Sequence, residues 1–327
     1  MKNALSSMLY RAGQGLMVLV LLPLLTFLLA GLAGGDGFTD ADIAPSIPAE
    51  SVQALRARTG LDRTGWERYL NWTKGALRGD LGASVITGLP VTQLVGTGIV
   101  NTLRLTAPAV ALSWLLAIPL GLWLGSNPRR VLPRAVATAN SFLLALPDIL
   151  IALVLMLLAV QTGWLPAGGM APARPEFTSW TSGLAGAIRH LAIPLFTLVM
   201  ATAPLLIRQV HFSIQAALQS PAVRAAEALG LDRRRVLWGY ALPLALNPLI
   251  SLFGLVFGAQ LSLSLLVEVV LGWPGIGPVM LHAVQARDLP VVLAVVLASG
   301  LLLIAGNLMG DLLLTWHDPR IRRGSRA

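Results

Sequence analysis

Six stretches of nearly unbroken apolar residues divide the chain. Each is long enough for a helix of about 20 residues, the length that crosses the ~30 Å hydrocarbon core of a bilayer. The pattern therefore predicts an all-α membrane protein with six transmembrane helices. The predicted spans lie at about Gly13–Leu32, Ile99–Leu124, Ala135–Val160, Leu191–His211, Leu246–Val267 and Val291–Leu314. The first is interpreted as an uncleaved helix, because its apolar core is longer than that of a signal peptide.

The composition supports the membrane assignment. Hydrophobic residues make up 55% of the 327 positions and charged residues only 12%, with a mean hydropathy of +0.73. Soluble domains carry about 25% charged residues, so a soluble enzyme or a secreted domain is excluded. The net charge of +9 does not indicate nucleic-acid binding, because the basic residues are spread over short segments between the apolar blocks.

The positive charges of the short segments lie mainly on one side of the predicted spans. Short cytoplasmic loops are enriched in Lys and Arg, so this side is predicted to be cytoplasmic and to hold both termini. The other side's two short loops contain only Arg174, Arg189 and Arg287. The basic residues of the cytoplasmic side are Lys2, Arg11, Arg129, Arg130, Arg134, Arg224, Arg233, Arg234, Arg235, Arg320, Arg322, Arg323 and Arg326.

The long segment after the first span is predicted to lie outside the membrane and to contain a short helix. Thr64 followed by Glu67 has the spacing of a capping box. Apolar and aromatic residues then recur at helical spacing, beginning with Trp66 and Tyr69. We expect a small amphipathic helix on the membrane or on the transmembrane bundle, not a separate catalytic domain.

Prolines are frequent inside the predicted spans. They include Pro23, Pro108, Pro119, Pro147, Pro194 and Pro204. Each removes a backbone donor, and such a break persists in lipid only where a neighbouring helix or a cavity satisfies the freed carbonyl. They indicate either packing kinks or helices that bend around a transport pathway.

The most informative segment, residues 219–243, lies between spans four and five. Ser220 suits a helix N-cap, Pro221 the first helical position, and Gly230 the stop after the last turn. One short helix is therefore predicted to end at Gly230. A second is predicted to begin near Asp232 and to stop before Pro243. Ala225 and Ala226 form a small-residue face that another protein can approach closely; the alternative is an ordinary amphipathic helix at the membrane surface.

This segment resembles the EAA loop of ABC-importer permeases, which reads EAA, three residues, Gly, nine residues, then I-x-L-P. Ala225, Ala226, Gly230, Leu242 and Pro243 stand in register with that pattern. Arg224 replaces the Glu, a departure familiar in the dipeptide/oligopeptide/nickel branch of the family. Tyr240 replaces the Ile and has no explanation. By resemblance, coupling to an ATPase is assigned to Arg224, Ala225, Ala226, Gly230, Leu231, Leu242 and Pro243.

The resemblance to that branch extends over nearly the whole chain. The further segments that carry it are Gly60–Arg63, Arg78–Ser84, Arg189–Leu191 with Pro194, Glu268 with Trp273–Gly277, Arg287–Pro290, and Asp311 with Asp318–Arg322. It implies the type I ABC-importer permease fold in a bacterial inner membrane. Residues 1–98 then form the first helix and the external segment, residues 99–316 the transmembrane domain, and residues 317–327 a cytoplasmic tail.

The same resemblance implies partners. They are a second, similar permease chain, two cytoplasmic ATPase subunits and an external solute-binding protein, besides membrane lipid. ATP and Mg²⁺ are expected on the ATPase subunits only. This chain has no GxxxxG loop before either of its lysines, Lys2 and Lys74, so it lacks a P-loop. The solute stays open among dipeptides, oligopeptides, glutathione-like compounds, opines and metal chelates.

Charged residues inside the predicted spans are functional candidates, because a charge in hydrocarbon is costly. Asp148, directly after Pro147, is interpreted either as a pathway residue that meets a cationic group or as a carboxyl that is paired to a neighbouring helix or protonated. Glu268 and Arg104 lie near the external face and are a candidate pair, although Arg104 can also snorkel outward. Asp311 and Arg208 lie near the internal face and are a candidate pair for the closed gate. Gln260, Ser262 and Ser264 are polar at roughly helical spacing, which also suits ordinary helix packing.

Three other classes of function fit the sequence less well. An ion-coupled secondary transporter using Asp148, Glu268 and Asp311 leaves the EAA-like loop without a purpose and predicts internal repeats, which the two halves do not display. An intramembrane enzyme lacks HExxH and GxSxG motifs, and the four histidines form no set at metal-ligand spacing. A structural anchor does not explain the intramembrane charges. The chain is therefore predicted to be a non-enzymatic permease subunit.

Overall fold

The computed structural model describes residues 2–32, 65–169 and 180–317, with the side chains of residues 13–32, 66–169 and 186–317. Thr64 of the predicted capping box, the Gly60–Arg63 motif, Arg174, and the C-terminal motif from Asp318 onward lie outside the described residues. Within the described part of the chain every regular element is helical.

The helices follow one another along the described segments without intervening strands. They are α1 (Lys2–Leu32), α2 (Gly65–Ala76), α3 (Val91–Ser126), α4 (Val131–Ala145), α5 (Asp148–Thr162), α6 (Trp180–Leu218), α7 (Pro221–Ala228), α8 (Arg233–Val236), a π-helical turn (Leu237–Ala241), α9 (Leu242–Ser251), α10 (Phe253–Val270), α11 (Ile276–Gln285) and α12 (Leu289–His317). A single isolated bridge pairs Ala83 with Pro90 among the described residues.

Five of the described helices are long and apolar enough to cross a membrane, namely α1, α3, α6, α10 and α12. A sixth span results if the bent pair α4 and α5 counts as one. The third predicted span, Ala135–Val160, is divided between these two helices, which meet at an angle of 97°. A residue before proline avoids helical torsion angles, and Leu146, which precedes Pro147, is extended with φ −77° and ψ 131°.

The fifth predicted span also differs from the observed helices. It was placed at Leu246–Val267, but its first residues belong to α9, and the chain breaks at Leu252 before α10 begins. The amide of Leu252 donates to the carbonyl of Leu249, which tightens the last turn of α9. The membrane-length helix of this region is therefore Phe253–Val270.

The chain divides into two compact units. The first comprises residues 1–102 and 274–302. In it the predicted amphipathic helix is observed as α2, whose buried Tyr69 packs on α1. The Tyr69 hydroxyl donates to the carbonyl of Val20 at 3.3 Å, and its ring centroid lies 5.7 Å from that of Phe27. Trp66 of the same helix is exposed, so Tyr69 rather than Trp66 holds α2 in place.

Hydrogen bonds join distant segments of the first unit. The Ser84 hydroxyl donates to the buried carboxylate of Asp288 at 2.5 Å, and the Asn101 amide donates to the carbonyl of Pro274 at 2.9 Å. The backbone amide of Ile276 donates to the hydroxyl of Thr102 at 2.9 Å. Two of the motifs that carried the family resemblance, Arg78–Ser84 and Arg287–Pro290, thus meet in space.

The second unit, residues 103–273 and 303–327, holds the main apolar core. Its packing depends on small residues where α3 meets α6. A Cβ atom at Gly121 would lie 2.5 Å from the Cβ of Val210, and one at Gly125 would lie 2.8 Å from the carbonyl oxygen of His211. Glycine at these positions lets the two helices approach closely, a common arrangement in membrane proteins.

We expect Gly121→Ala to destabilise the protein by about 1–3 kcal/mol, the usual cost of overpacking a core. Gly96 provides the control within the same helix, because a Cβ there meets nothing within 4 Å. Gly96→Ala should be neutral or stabilising by up to about 1 kcal/mol, since alanine favours helix over glycine. Thermal unfolding midpoints of the two detergent-purified variants test this, and equal midpoints would contradict the packing described.

Candidate functional site

The 219–243 segment begins with the helix that the sequence predicts. Ser220 is the N-cap of α7, and its side-chain oxygen accepts a hydrogen bond from the amide of Val223 at 3.4 Å. Pro221 occupies the first turn, where its missing N–H has no intrahelical partner to lose. The predicted start of this helix is confirmed.

The predicted stop at Gly230 is also confirmed. Gly230 has φ +74°, the left-handed conformation that favours glycine. Its amide donates to the carbonyl of Glu227 at 3.0 Å, and the amide of Leu231 donates to the carbonyl of Ala226 at 3.4 Å. This pair of bonds is a Schellman motif, which satisfies the last carbonyls of α7 and turns the chain sharply.

The second half of the segment departs from the prediction. Asp232 caps α8 as expected, with its carboxylate accepting from the amide of Arg234 at 3.1 Å. The helical path does not stop before Pro243, however, but continues through the π-helical turn Leu237–Ala241 into α9. A proline ring clashes with the carbonyl four residues earlier in an α-helix. The wider π turn directly before Pro243 relieves this clash, so the chain stays helical.

The segment has one anchored side and one displayed side. Val223 and Ala226 of α7 are 0% and 3% exposed and belong to the main core. Residues three apart lie on the same side of a helix, which leaves Arg224, Ala225 and Ala228 on the outward side, all exposed. The prediction that Ala225 and Ala226 share an accessible face is therefore wrong for Ala226, which packs inside this chain.

The other predicted coupling residues divide in the same way. Gly230 is exposed, whereas Leu231 and Pro243 are half-buried and Leu242 is buried. Sequence reasoning missed the exposed apolar residues Leu229 and Trp238, which are 81% and 56% exposed. Tyr240, which had no explanation, lies exposed on the π-helical turn. The sequence carries little signal for these residues, because the segment contains many other apolar residues, most of them alanine, valine and leucine.

Two hydrogen bonds fasten the segment to the ends of long helices. A guanidinium nitrogen of Arg233 donates to the carbonyl oxygen of Ser126, the last residue of α3, at 2.6 Å. Nε2 of His317, at the end of α12, lies 3.2 Å from the carbonyl oxygen of Pro243. The part of the segment from Arg233 to Pro243 is thus bonded to α3 at its start and to α12 at its end.

The four charged pathway candidates lie in very different surroundings. Asp148 is the first residue of α5, exposed, directly after the 97° bend. Glu268 of α10 is 0% exposed. Arg104 of α3 is exposed, and Asp311 of α12 is half-buried. The pairing of Glu268 with Arg104, and the role of Asp311, stay predictions.

A buried polar row runs along α10. Gln260, Ser264 and Glu268 are all buried and follow one another four residues apart, so they share one side of the helix. The hydroxyl of Thr202 on α6 donates to Oε1 of Gln260. Ser262 is exposed, so the grouping of Ser262 with Gln260 and Ser264 was wrong. Among the described residues no group of His, Asp and Glu side chains is placed to hold a metal ion.

Comparison with known proteins identifies relatives over most of the chain. The model of the family described as "binding-protein-dependent transport system inner membrane component" matches residues 117–323. The oligopeptide transport system permease protein AppB of Bacillus subtilis is 31% identical over 306 residues, which cover 93% of this chain and 95% of that protein. A putative peptide permease protein of Brucella suis is 31% identical over 318 residues, covering 96% and 98%.

A solved structure shares the fold. It is an inward-facing form of the MetNI methionine ABC transporter, matched with a TM-score of 0.54 and 17% identity. The match covers 69% of this chain and 97% of the chain in that structure.

We expect Gly230→Ala to destabilise the protein by about 1 kcal/mol, because a left-handed backbone disfavours residues with a Cβ. Gly230→Asn should cost less, since asparagine tolerates this conformation. A Cβ at Gly230 meets nothing within 4 Å, so the ranking reports backbone conformation and not crowding. Thermal unfolding of both purified variants measures it, and an asparagine variant less stable than the alanine variant would contradict the assignment.

Proposed function

Because the chain belongs to the family of binding-protein-dependent transport system inner membrane components, we propose that it is a permease subunit of an ATP-driven importer of peptides or a related small solute. Its relatives named as peptide permeases match it over nearly their whole length. The chain supplies the membrane-crossing part of such an importer, and ATP hydrolysis takes place on partner subunits.

The 219–243 segment is the observation that carries this proposal. Helix α7 is anchored in the core by Val223 and Ala226, while Arg224 and Ala225 face outward and Leu229, at its end, is exposed. An exposed arginine and a large exposed apolar side chain on a capped helix suit docking of another protein. We assign to this surface the contact with the ATPase, and to Gly230, Leu231, Leu242 and Pro243 the shape of the turn and its seat in the bundle.

The topology of the proposed subunit follows from charge and span length. The bent pair α4 and α5 forms one broken span, which brings the number of spans to six. The basic residues of the short segments then place both termini and the 219–243 segment in the cytoplasm. Helix α2 lies in the external segment between α1 and α3. The protein resides in the bacterial inner membrane.

The complete importer contains further chains. A second, similar permease, two ATPase subunits and an external solute-binding protein complete it, and the solute passes between the two permeases by alternating access. ATP binding and hydrolysis move the 219–243 segment, and the helices fastened to it follow. The solute-binding protein sets most of the choice among dipeptides, oligopeptides, glutathione-like compounds, opines and metal chelates.

An ion-coupled secondary transporter is the second candidate, and it is not favoured. It would use Asp148, Glu268 and Asp311 for proton or sodium coupling. Glu268 is fully buried within this single chain, and such a mechanism leaves the displayed 219–243 segment without a task.

Asp148 is the charged group that we assign to the solute pathway. Its carboxylate is exposed at the break of an apolar span, and a charge facing hydrocarbon at mid-membrane costs about 2.5–3.5 kcal/mol or more. A water-filled pathway avoids that cost. There the carboxylate meets a cationic group such as a peptide amino terminus. Arg104 and Asp311 lie at the two ends of this pathway. Glu268 and the other buried polar residues of α10 pack behind the residues that line it.

We expect Ala225→Trp to abolish recovery of ATPase subunits with the tagged permease, because the indole would occupy the docking surface. Ala225→Ser is the control, since it keeps the side chain small at the same exposed position. Affinity purification from native membranes, followed by mass spectrometry, measures the ATPase recovered per permease. Undiminished recovery with Ala225→Trp would contradict the proposed docking surface, and absence of any ATPase from the wild-type preparation would contradict the proposed function.

We expect Asp148→Asn to lower uptake of a peptide with a free amino terminus by about tenfold, the value of one charge-assisted hydrogen bond. Uptake of the same peptide with an acetylated amino terminus should not change. Reconstituted vesicles measure both rates, at saturating solute-binding protein so that its own preference does not enter. Equal effects on the two peptides would contradict a cation-binding role of Asp148.

A further inference from the structure

We propose that Arg233 is a positioning residue that transmits movement of the 219–243 segment to the end of helix α3. This inference rests on the proposed function, in which that segment receives the motion of the ATPase. The link is the hydrogen bond from the Arg233 guanidinium to the carbonyl oxygen of Ser126 at 2.6 Å. It joins residues that are 107 positions apart in the chain.

The Ser126 carbonyl, on the last residue of α3, is a group that needs such a partner. The last four carbonyls of a helix have no partner within it. The carbonyl of Trp123 accepts from the side-chain amide of Asn127 at 3.0 Å, and that of Leu124 accepts from the backbone amide of Asn127 at 3.3 Å. The Arg233 guanidinium donates to the carbonyl of Ser126. A cation at a helix C-terminus is also favoured by the helix dipole.

Arg233 is itself held by a rigid element. It is the first residue of α8, whose start is set by the Asp232 cap. The Schellman motif at Gly230 joins α8 directly to α7. Val236, at the other end of α8, is buried in the main core. A displacement of α7 therefore carries the Arg233 guanidinium with it.

The receiving end is equally well defined. Gly125, next to Ser126, packs so closely on α6 that a Cβ there would lie 2.8 Å from both the His211 carbonyl oxygen and a side-chain carbon of Ile214. The end of α3 thus passes displacement to α6 by direct contact. The covalent route from α8 into α9 runs through the π-helical turn Leu237–Ala241 and does not touch α3. The Arg233–Ser126 bond supplies a second, direct route to the end of α3.

Arg234 offers a matched control. It follows Arg233 directly, carries the same charge and is exposed. Its bond to Asp232 uses the backbone amide and survives any non-proline substitution. Any effect that comes from positive charge at the membrane surface should therefore appear equally in Arg233→Ala and Arg234→Ala.

The experiment measures solute transported per ATP hydrolysed, in the complete importer reconstituted into vesicles. We expect Arg233→Ala to lower this ratio about tenfold, the equivalent of one charge-assisted hydrogen bond, while Arg234→Ala keeps the wild-type ratio. Arg233→Lys should recover part of the loss, because lysine supplies a charged donor without the planar fork. Arg233→Gln replaces the alanine variant if the latter does not assemble. A wild-type ratio in the assembled Arg233 variant would overturn the proposal.

A distance measurement tests the link without relying on turnover. The chain contains no cysteine, so Arg129→Cys with Arg234→Cys introduces a unique pair for spin labels across the Arg233–Ser126 bond. With Arg233 present, the label distance should stay the same in the nucleotide-free and nucleotide-trapped importer. With Arg233→Ala it should shift or broaden on nucleotide binding, and an unchanged distance would overturn the proposal.

The two measurements separate this inference from the proposed function. If wild-type uptake does not depend on ATP at all, the proposed function fails. If uptake depends on ATP but Arg233→Ala matches Arg234→Ala, only the role of Arg233 fails.

Discussion

The hydrocarbon of a membrane offers no hydrogen-bond partner, so polar groups of a spanning protein must find partners within the protein. In the second unit this requirement selects a few specific links between helices. The Asn140 side chain of α4 donates to the carbonyl of Pro204 in α6 at 2.9 Å, and Thr202 of α6 donates to Gln260 of α10. These links and the close contacts at Gly121 and Gly125 make α6 the element to which its neighbours are fastened.

The 219–243 segment combines helix ends that are fixed locally with an exposed outward side. Its helix ends are satisfied locally, by Ser220, by the Schellman motif at Gly230 and by Asp232. Its apolar anchors, Val223 and Ala226, are buried in the core. These bonds and contacts all lie within this chain, and Arg224, Ala225 and Ala228 on the outward side are exposed. A segment built in this way suits the transfer of motion between subunits.

Much of this arrangement could be predicted from the sequence, because it depends on local chemistry. The membrane-length helices follow from runs of apolar residues, and the caps at Ser220, Gly230 and Asp232 follow from residue type. The sequence left the extent of the bend at Pro147 open, because a proline inside an apolar run is compatible with either a kink or a full break. The side on which Ala226 lies was missed, since two adjacent alanines give no amphipathic signal. Arg233 could not be distinguished from Arg234 and Arg235, because its partner is remote in sequence.

In the proposed importer the energy for transport enters from ATPase subunits through the 219–243 segment. The most direct measurement is uptake of a labelled peptide into vesicles that contain the complete importer, with ATP supplied to the ATPase side and ionophores present to collapse proton and sodium gradients. We expect uptake that requires ATP and persists with the ionophores. Uptake driven by an imposed ion gradient, in vesicles that hold this permease without any ATPase, would contradict it.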